Sequence, residues 1–260
     1  MIGVCHGDKL YPRIRKWEEF FCALFPALEG GLFSATFPCM KQVLIIGASG
    51  GVGAALAAAY VARGDAVTRL SRSVDGFNIT DETSVDRHIT AVGGPFDVVL
   101  VATGALEING AAPEKSIKSI SRDAMMDQFA LNAVGPALVL RHAGDLLRRD
   151  KACVFAVLSA RVGSIGDNRI GGWISYRSAK AALNQIVHTS AIELARSHRH
   201  SICVALHPGT VKTGFTAKYL ARHPAVEPSE AAGNLLGVVD SLTPKDTGQF
   251  FDWSGKPVPW

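Results

Sequence analysis

Tyr176 and Lys180, in "GGWISYRSAKAALNQ" (171–185), are the residues whose types and spacing most suggest chemistry. On a helix, four residues bring two side chains onto one face, about one turn apart. A free phenol has a pKa near 10, too high for efficient proton exchange at neutral pH. A neighbouring ammonium favours the phenolate and draws that value down. A tyrosine so placed can give a proton to a substrate oxygen or take it back. The same spacing also suits a half-exposed aromatic beside a solvated lysine, so the rest of the chain must decide.

The elements that would carry this pair follow one another regularly after Met40. "QVLIIG" (42–47) is a continuous apolar run, as in a strand covered on both faces. "GAALAAAYVARG" (53–64) is an Ala-rich helix with a closing glycine. Further strands are expected at 66–71, 96–104, 152–159 and 201–209, and helices at 123–149 and 176–196. Gly135-Pro136 should bend the first of those two helices. Alternating strands and helices imply a parallel sheet with helices on both faces. The expected fold is therefore α/β, a doubly wound parallel sheet (Rossmann fold), in one domain over 40–260.

Between the first strand and helix stands "GASGGVG", with Gly47, Gly51 and Gly53 as G-x-x-x-G-x-G. Glycines there let the backbone turn tightly, approach a pyrophosphate and bring the helix close to the sheet. The helix start offers free N–H groups and the positive end of its dipole. Alone such a turn is weak, since glycine-rich turns also arise for steric reasons. Between an apolar strand and an Ala-rich helix it points to a dinucleotide.

The bulk numbers fit. In 260 residues, 48% are hydrophobic and 19% charged, ample for a core and unlike a disordered chain. The net charge of +4 comes without a dense basic run, which argues against nucleic acid as a partner. No apolar run is long enough to span a bilayer. Five scattered cysteines, with no C-x-x-C and no H-E-x-x-H, argue against a metal site and suit a reducing cytoplasm. Residues 1–39 hold Cys5, Cys22 and Cys39, three prolines and no sustained period. They lack a signal-peptide pattern, and we expect an N-terminal extension contributing little to fold or function.

The glycine turn with Tyr-x-x-x-Lys far downstream resembles the short-chain dehydrogenase/reductase family over about residues 40–260. "PEKSI", "NAVGPALV", "SARVGSIGDNRIGGWISYRSAKAALN", "HPGTVKT" and "FFDWSGKPVPW" resemble its C-factor-like branch. The resemblance implies a reductase moving hydride between NADP(H), with NAD possible, and a carbonyl or secondary alcohol. It implies Tyr176 as acid/base and Lys180 as the residue holding both the phenol's pKa and the cofactor ribose. Asn132 matches the asparagine that positions a water next to the lysine. It further implies a homodimer or homotetramer. The C-factor branch also admits a second function, a dinucleotide-binding signalling or redox-sensing protein with incidental turnover.

The remaining cofactor residues follow from the same resemblance. Ser49 and Val52 lie within the glycine turn, and Ala102, Thr103 and Gly104 take the place of the family's Asn-Ala-Gly. Asn78-Ile79 replaces the usual Asp-Val near the adenine. Pro208, Gly209, Val211 and Thr213 match P-G-x-V-x-T beside the nicotinamide and phosphates. At the end of the second strand NAD-selecting relatives carry an acid. Here Ser71 stands there, and Arg72 after it could pair with a 2′-phosphate.

The pattern departs at the serine. Counting back from Gly163, the family's catalytic serine falls on Ala160, with Ser159 before it and Ser164 after Gly163. One residue's shift along a strand normally reverses a side chain. A bulge or an early strand end would turn Ser159 inward, so it is favoured, with Ser164 as rival. The loop from there to Tyr176 is a few residues longer than the family's usual and should reshape the substrate mouth, with 214–230 as a lid.

Overall fold

In a computed structural model, residues 40–214, 216 and 225–260 are described. The expected extension at 1–39, and most of the expected lid at 214–230, lie outside the described residues.

Six strands form one parallel sheet in the order β2-β1-β3-β4-β5-β6. They are β1 Gln42–Ile46, β2 Ala66–Leu70, β3 Val98–Val101, β4 Cys153–Leu158, β5 Ser201–His207 and β6 Phe250–Asp252. The four central strands are buried on nearly every residue because helices cover both faces. Alternation sorts their side chains into two cores. Val43, Ile45, Leu100, Ala156 and Val204 face α1 (Gly51–Ala62) and α8 (Pro228–Ser241). Leu44, Ile46, Val99, Phe155 and Cys203 face the other way. There they meet α3 (Glu82–Val92), α5 (Gly135–Leu140), α6 (Ala143–Leu146) and α7 (Ile174–Ser197).

From β1 the chain steps outward to β2, then crosses back to place β3 on the other side of β1. That reversal opens a crevice above the carboxyl ends of β1 and β3, the place where doubly wound sheets bind ligands.

The helical stretch expected at 123–149 is broken into pieces. α4 (Arg122–Phe129) runs into a π-turn at Ala130–Val134 and then into α5. Pro136 has no N–H to give to the carbonyl of Asn132, so the α-helical ladder cannot continue through this point. The expected strand at 96–104 ends at Val101, leaving Ala102, Thr103 and Gly104 as a turn. Periodicity alone did not reveal α3, α8, β6 or the single turn α2 (Arg72–Asp75). α3 does carry a start signal, since Asp81 accepts the N–H of Thr83 at 3.1 Å.

Candidate active site

The glycines after β1 are required by what lies against them. Gly47 sits at φ +88°, and a Cβ there would come within 2.9 Å of the Ala102 carbonyl. At Gly53 it would lie 2.2 Å from the carbonyl oxygen of Gly47, closing the turn on itself. At Gly51 it would meet the Thr213 methyl at 2.5 Å, so the P-G-T-V-K-T segment passes directly over the start of α1. Gly50 caps that helix without a side-chain bond, and no acid occupies its first turn. Ser49 is exposed beside it, while Val52 tucks into the core. The arrangement leaves backbone N–H groups and a positive helix end facing the crevice. A pyrophosphate fits it.

Around this turn the other expected cofactor residues take definite places. Ser71, almost fully buried, caps α2 by accepting the N–H of Val74 at 3.3 Å. Its own N–H and hydroxyl donate to the carboxylate of Asp75, at 2.7 and 3.1 Å, while Arg72 is exposed. Asn78 accepts from Thr80, and Ile79 is buried beneath Gly135, where a Cβ would be 3.0 Å from the Ile79 carbonyl. The Thr103 hydroxyl is buried with no partner among the described residues. Pro208 and Gly209 turn the chain out of β5, Gly209 at φ +80° against the ring of Trp253. Val211 is buried and pairs with Val226.

Gly104 joins the two halves of the site. At φ +150°, its missing Cβ would fall 2.8 Å from Asn132 Oδ1 and 3.5 Å from Lys180 Nζ. Asn132 is fully buried in the π-turn, where its Nδ2 donates to the Ala105 carbonyl (2.9 Å) and to Gln128 (2.7 Å). Gln128 in turn donates to the Leu106 carbonyl at 2.9 Å. α7 carries Tyr176 and Lys180, both buried, with the ammonium 6.0 Å from the phenol ring centre. Lys180 Nζ donates to the carbonyl of Leu158, the last residue of β4, at 3.0 Å.

The electrostatics differ from the expectation that the ammonium would pull the phenol down. Burial governs both groups. It pushes the Tyr176 phenol well above its ordinary value, and it pushes Lys180 down to about 7. With the lysine's charge turned toward a main-chain carbonyl, desolvation outweighs attraction across 6.0 Å.

The two candidate serines take different partners. β4 ends at Leu158, and alternation puts Ser159 on the α7 face, where its hydroxyl donates to Asn184 Oδ1 at 2.6 Å. Its proton is spent beneath the helix. Ser164 donates to the carbonyl of Pro259 and accepts the N–H of Asp167 at 3.0 Å. The long loop is thereby pinned to the carboxyl-terminal tail, with Gly166 N–H donating to the Trp260 carbonyl at 2.7 Å.

Several residues escaped the sequence reading. Asn184 lies one turn beyond Lys180, a spacing that could have marked it. His207, opposite Asp252 in the sheet, has a buried Nδ1 with no partner among the described residues, and burial drives its pKa down to about 4. Glu114, in "PEKSI", is buried against Ser175. Together with Ile108, Ala111, Pro113 and Gln128 it lines a small cleft that reaches Ser175 and Tyr176.

A parallel sheet with a glycine-lined phosphate turn and a buried Tyr/Lys/Asn set defines a dinucleotide-binding α/β protein. The comparisons carry this further. A family model described as Enoyl-(Acyl carrier protein) reductase matches residues 47–250. The chain is 27% identical over 236 residues to 1-hydroxy-2-glutathionyl-2-methyl-3-butene dehydrogenase of Rhodococcus sp., covering 85% of this chain and all of that protein. It is 34% identical over 167 residues to C-signal of Myxococcus xanthus, covering 64% of this chain and 94% of that protein. Among solved structures, an NADPH-bound carbonyl reductase from chicken fatty liver superposes with a TM-score of 0.74 at 23% identity, over 85% and 94% of the two chains. Carbonyl reductase Sniffer of D. melanogaster does so at 0.72 and 20%, over 85% and 100%. The chain belongs to the short-chain dehydrogenase/reductase family, a family of oxidoreductases with C-factor-like members.

Proposed function

We propose that this protein is an NADP(H)-dependent reductase of a carbonyl compound, or dehydrogenase of the matching secondary alcohol, with Tyr176 as acid/base. The observation that carries the reading is the meeting at Gly104, where Asn132 and Lys180 close on one point beside the phosphate turn. Bound NADPH supplies the hydride. The glycine turn and Thr213 would hold its pyrophosphate, Ser71 and Arg72 the adenosine end, and Lys180 the nicotinamide ribose.

The chain's own part is proton supply. A phenol whose pKa is raised by burial stays protonated at neutral pH, the form that gives a proton to a carbonyl oxygen as negative charge develops there. Lys180, partly protonated near pH 7, stands within reach of the phenolate that remains. Asn132 holds the 105–106 turn in place through Gln128 and Ala105, keeping the floor of the site rigid. Ser159 supports α7 by donating to Asn184. The structural neighbours with bound NADPH, from chicken fatty liver, and with bound NADP, from Burkholderia multivorans, support NADP as the cofactor.

A screen of aldehydes, ketones and quinones, followed by NADPH consumption, tests the reading. At least one class should be reduced with NADPH preferred, whereas no binding of either nucleotide would overturn it. The C-signal relative favours one other reading, a dinucleotide-binding signalling protein, for which nucleotide would bind without turnover of any carbonyl.

A further inference from the structure

The helix that carries Tyr176 does not cap itself. α7 starts after Trp173, which sits in the left-handed region at φ 54°, ψ 39° and makes no side-chain cap bond. The first N–H groups of a helix need acceptors from elsewhere. Glu114, 61 residues before Ser175 in the loop between β3 and α4, supplies an acceptor for the Ser175 N–H and one for the cap residue Trp173. Its carboxylate accepts the Ser175 N–H at 3.2 Å and the Ser175 hydroxyl, and its main-chain carbonyl accepts the Trp173 N–H at 2.6 Å. Glu114 and Ser175 are both buried. A carboxylate at a helix start is also favoured by the helix dipole.

We infer that Glu114 is a positioning residue for Tyr176, fixing the first turn of α7 from the substrate side of the site. The contact falls on Ser175, the residue next to the phenol. The same loop presents Ile108, Ala111 and Pro113 to the cleft that Tyr176 borders. A carbonyl substrate seated there presses on the segment that holds the helix start, so the loop's fit to the substrate sets the phenol's aim. The geometry also accounts for Glu114 being a buried acid without a lysine or arginine bonded to it among the described residues. Its partners are a helix's N–H groups and a hydroxyl.

The inference rests on the reading of Tyr176 as acid/base, and the test separates the two. Tyrosine labelled with carbon-13 at Cζ gives a Tyr176 signal, assigned by its loss in Tyr176→Phe, and this requires no turnover. Glu114→Ala should move or broaden that signal. It should also lower kcat for isatin with NADPH by ~10-fold or more, since a reacting group displaced by about 1 Å costs up to ~10²-fold. The Kd for NADPH should not change. Glu114→Gln, whose side-chain oxygen can still accept the Ser175 N–H while its amide donates to the Ser175 hydroxyl, should restore signal and kcat. Ser175→Ala removes only the hydroxyl arm and should move the signal less, in the same direction, which keeps the test alive if Glu114→Ala does not fold. An unmoved Tyr176 signal in the Ala variants, or a Gln variant as impaired as Glu114→Ala, overturns the inference. If the parent protein does not reduce isatin, the proposed reaction on that probe fails, while the signal still decides the role of Glu114.

Discussion

The turn after β1 and the turn after β4 leave the same edge of one sheet, yet they are held by different means. After β1 the site is made of backbone. Gly47, Gly51 and Gly53 are fixed by carbonyls and a methyl group that leave no room for a Cβ, so the residue types follow from steric exclusion alone. After β4 the site is made of side chains. Ser159, Asn184, Lys180 and Ser164 each take a partner that depends on where the strand stops and which way the next residue turns. Backbone sites tolerate no substitution and are therefore visible as spacing. Side-chain sites can be rewired by a shift of one residue.

If the contrast is real, the largest response should come from the first turn. Gly53→Ala places a methyl 2.2 Å from the Gly47 carbonyl oxygen. Overpacking by one methyl costs about 1–3 kcal/mol, so NADPH affinity should fall ~10- to ~10²-fold in a fluorescence titration. Unchanged affinity would mean that the turn gives way, and the contrast would be lost.

Next comes the selectivity of the adenosine end. Ser71→Asp adds a carboxylate where a 2′-phosphate would lie, beside Asp75. One like-charge clash of about 1.4 kcal/mol is tenfold, so the NADPH:NADH affinity ratio should drop by ~10-fold or more. A ratio that stays put would remove Ser71 and Arg72 from the cofactor site.

A smaller effect belongs to His207, next to the second turn. Its folded pKa of about 4 lies below the ordinary 6.5, so between these values the unfolded chain binds a proton that the native state does not. The stability this residue contributes is complete above pH 6.5 and is lost as pH falls through 4. Melting temperature should decline over that window, and His207→Asn should flatten the decline. A profile identical in the two proteins contradicts the account of a buried neutral imidazole.

The smallest response is expected at Ser159. Its hydroxyl bond to Asn184 is worth about 1 kcal/mol net, so Ser159→Ala should lower stability by roughly that amount in urea denaturation and leave turnover nearly unchanged. A loss of turnover near ~10²-fold would return the serine to the chemistry.

The same contrast explains how much was legible in the sequence. The parallel sheet could be read because β1, β3, β4 and β5 are apolar on both faces, and the Gly/Tyr/Lys set because its spacings are fixed by a turn and by one helical repeat. The direction of Ser159 was not legible because it depends on β4 ending at Leu158, a boundary that no local signal marks. The broken helix at 122–140 was only half visible. Gly135-Pro136 gave the break, but the π-turn form, which buries Asn132 against the 105–106 turn, has no pattern of its own in the sequence. Glu114 was invisible as a cap because its partner lies 61 residues away.

The most direct measurement of the central claim is single-turnover reduction of isatin by the NADPH-loaded protein, parent against Tyr176→Phe. The account predicts an unchanged Kd for NADPH and a rate lower by at least ~10²-fold, the scale of a lost general acid. A Tyr176→Phe protein that binds NADPH and reduces isatin at the parent's rate would show that the proton comes from elsewhere.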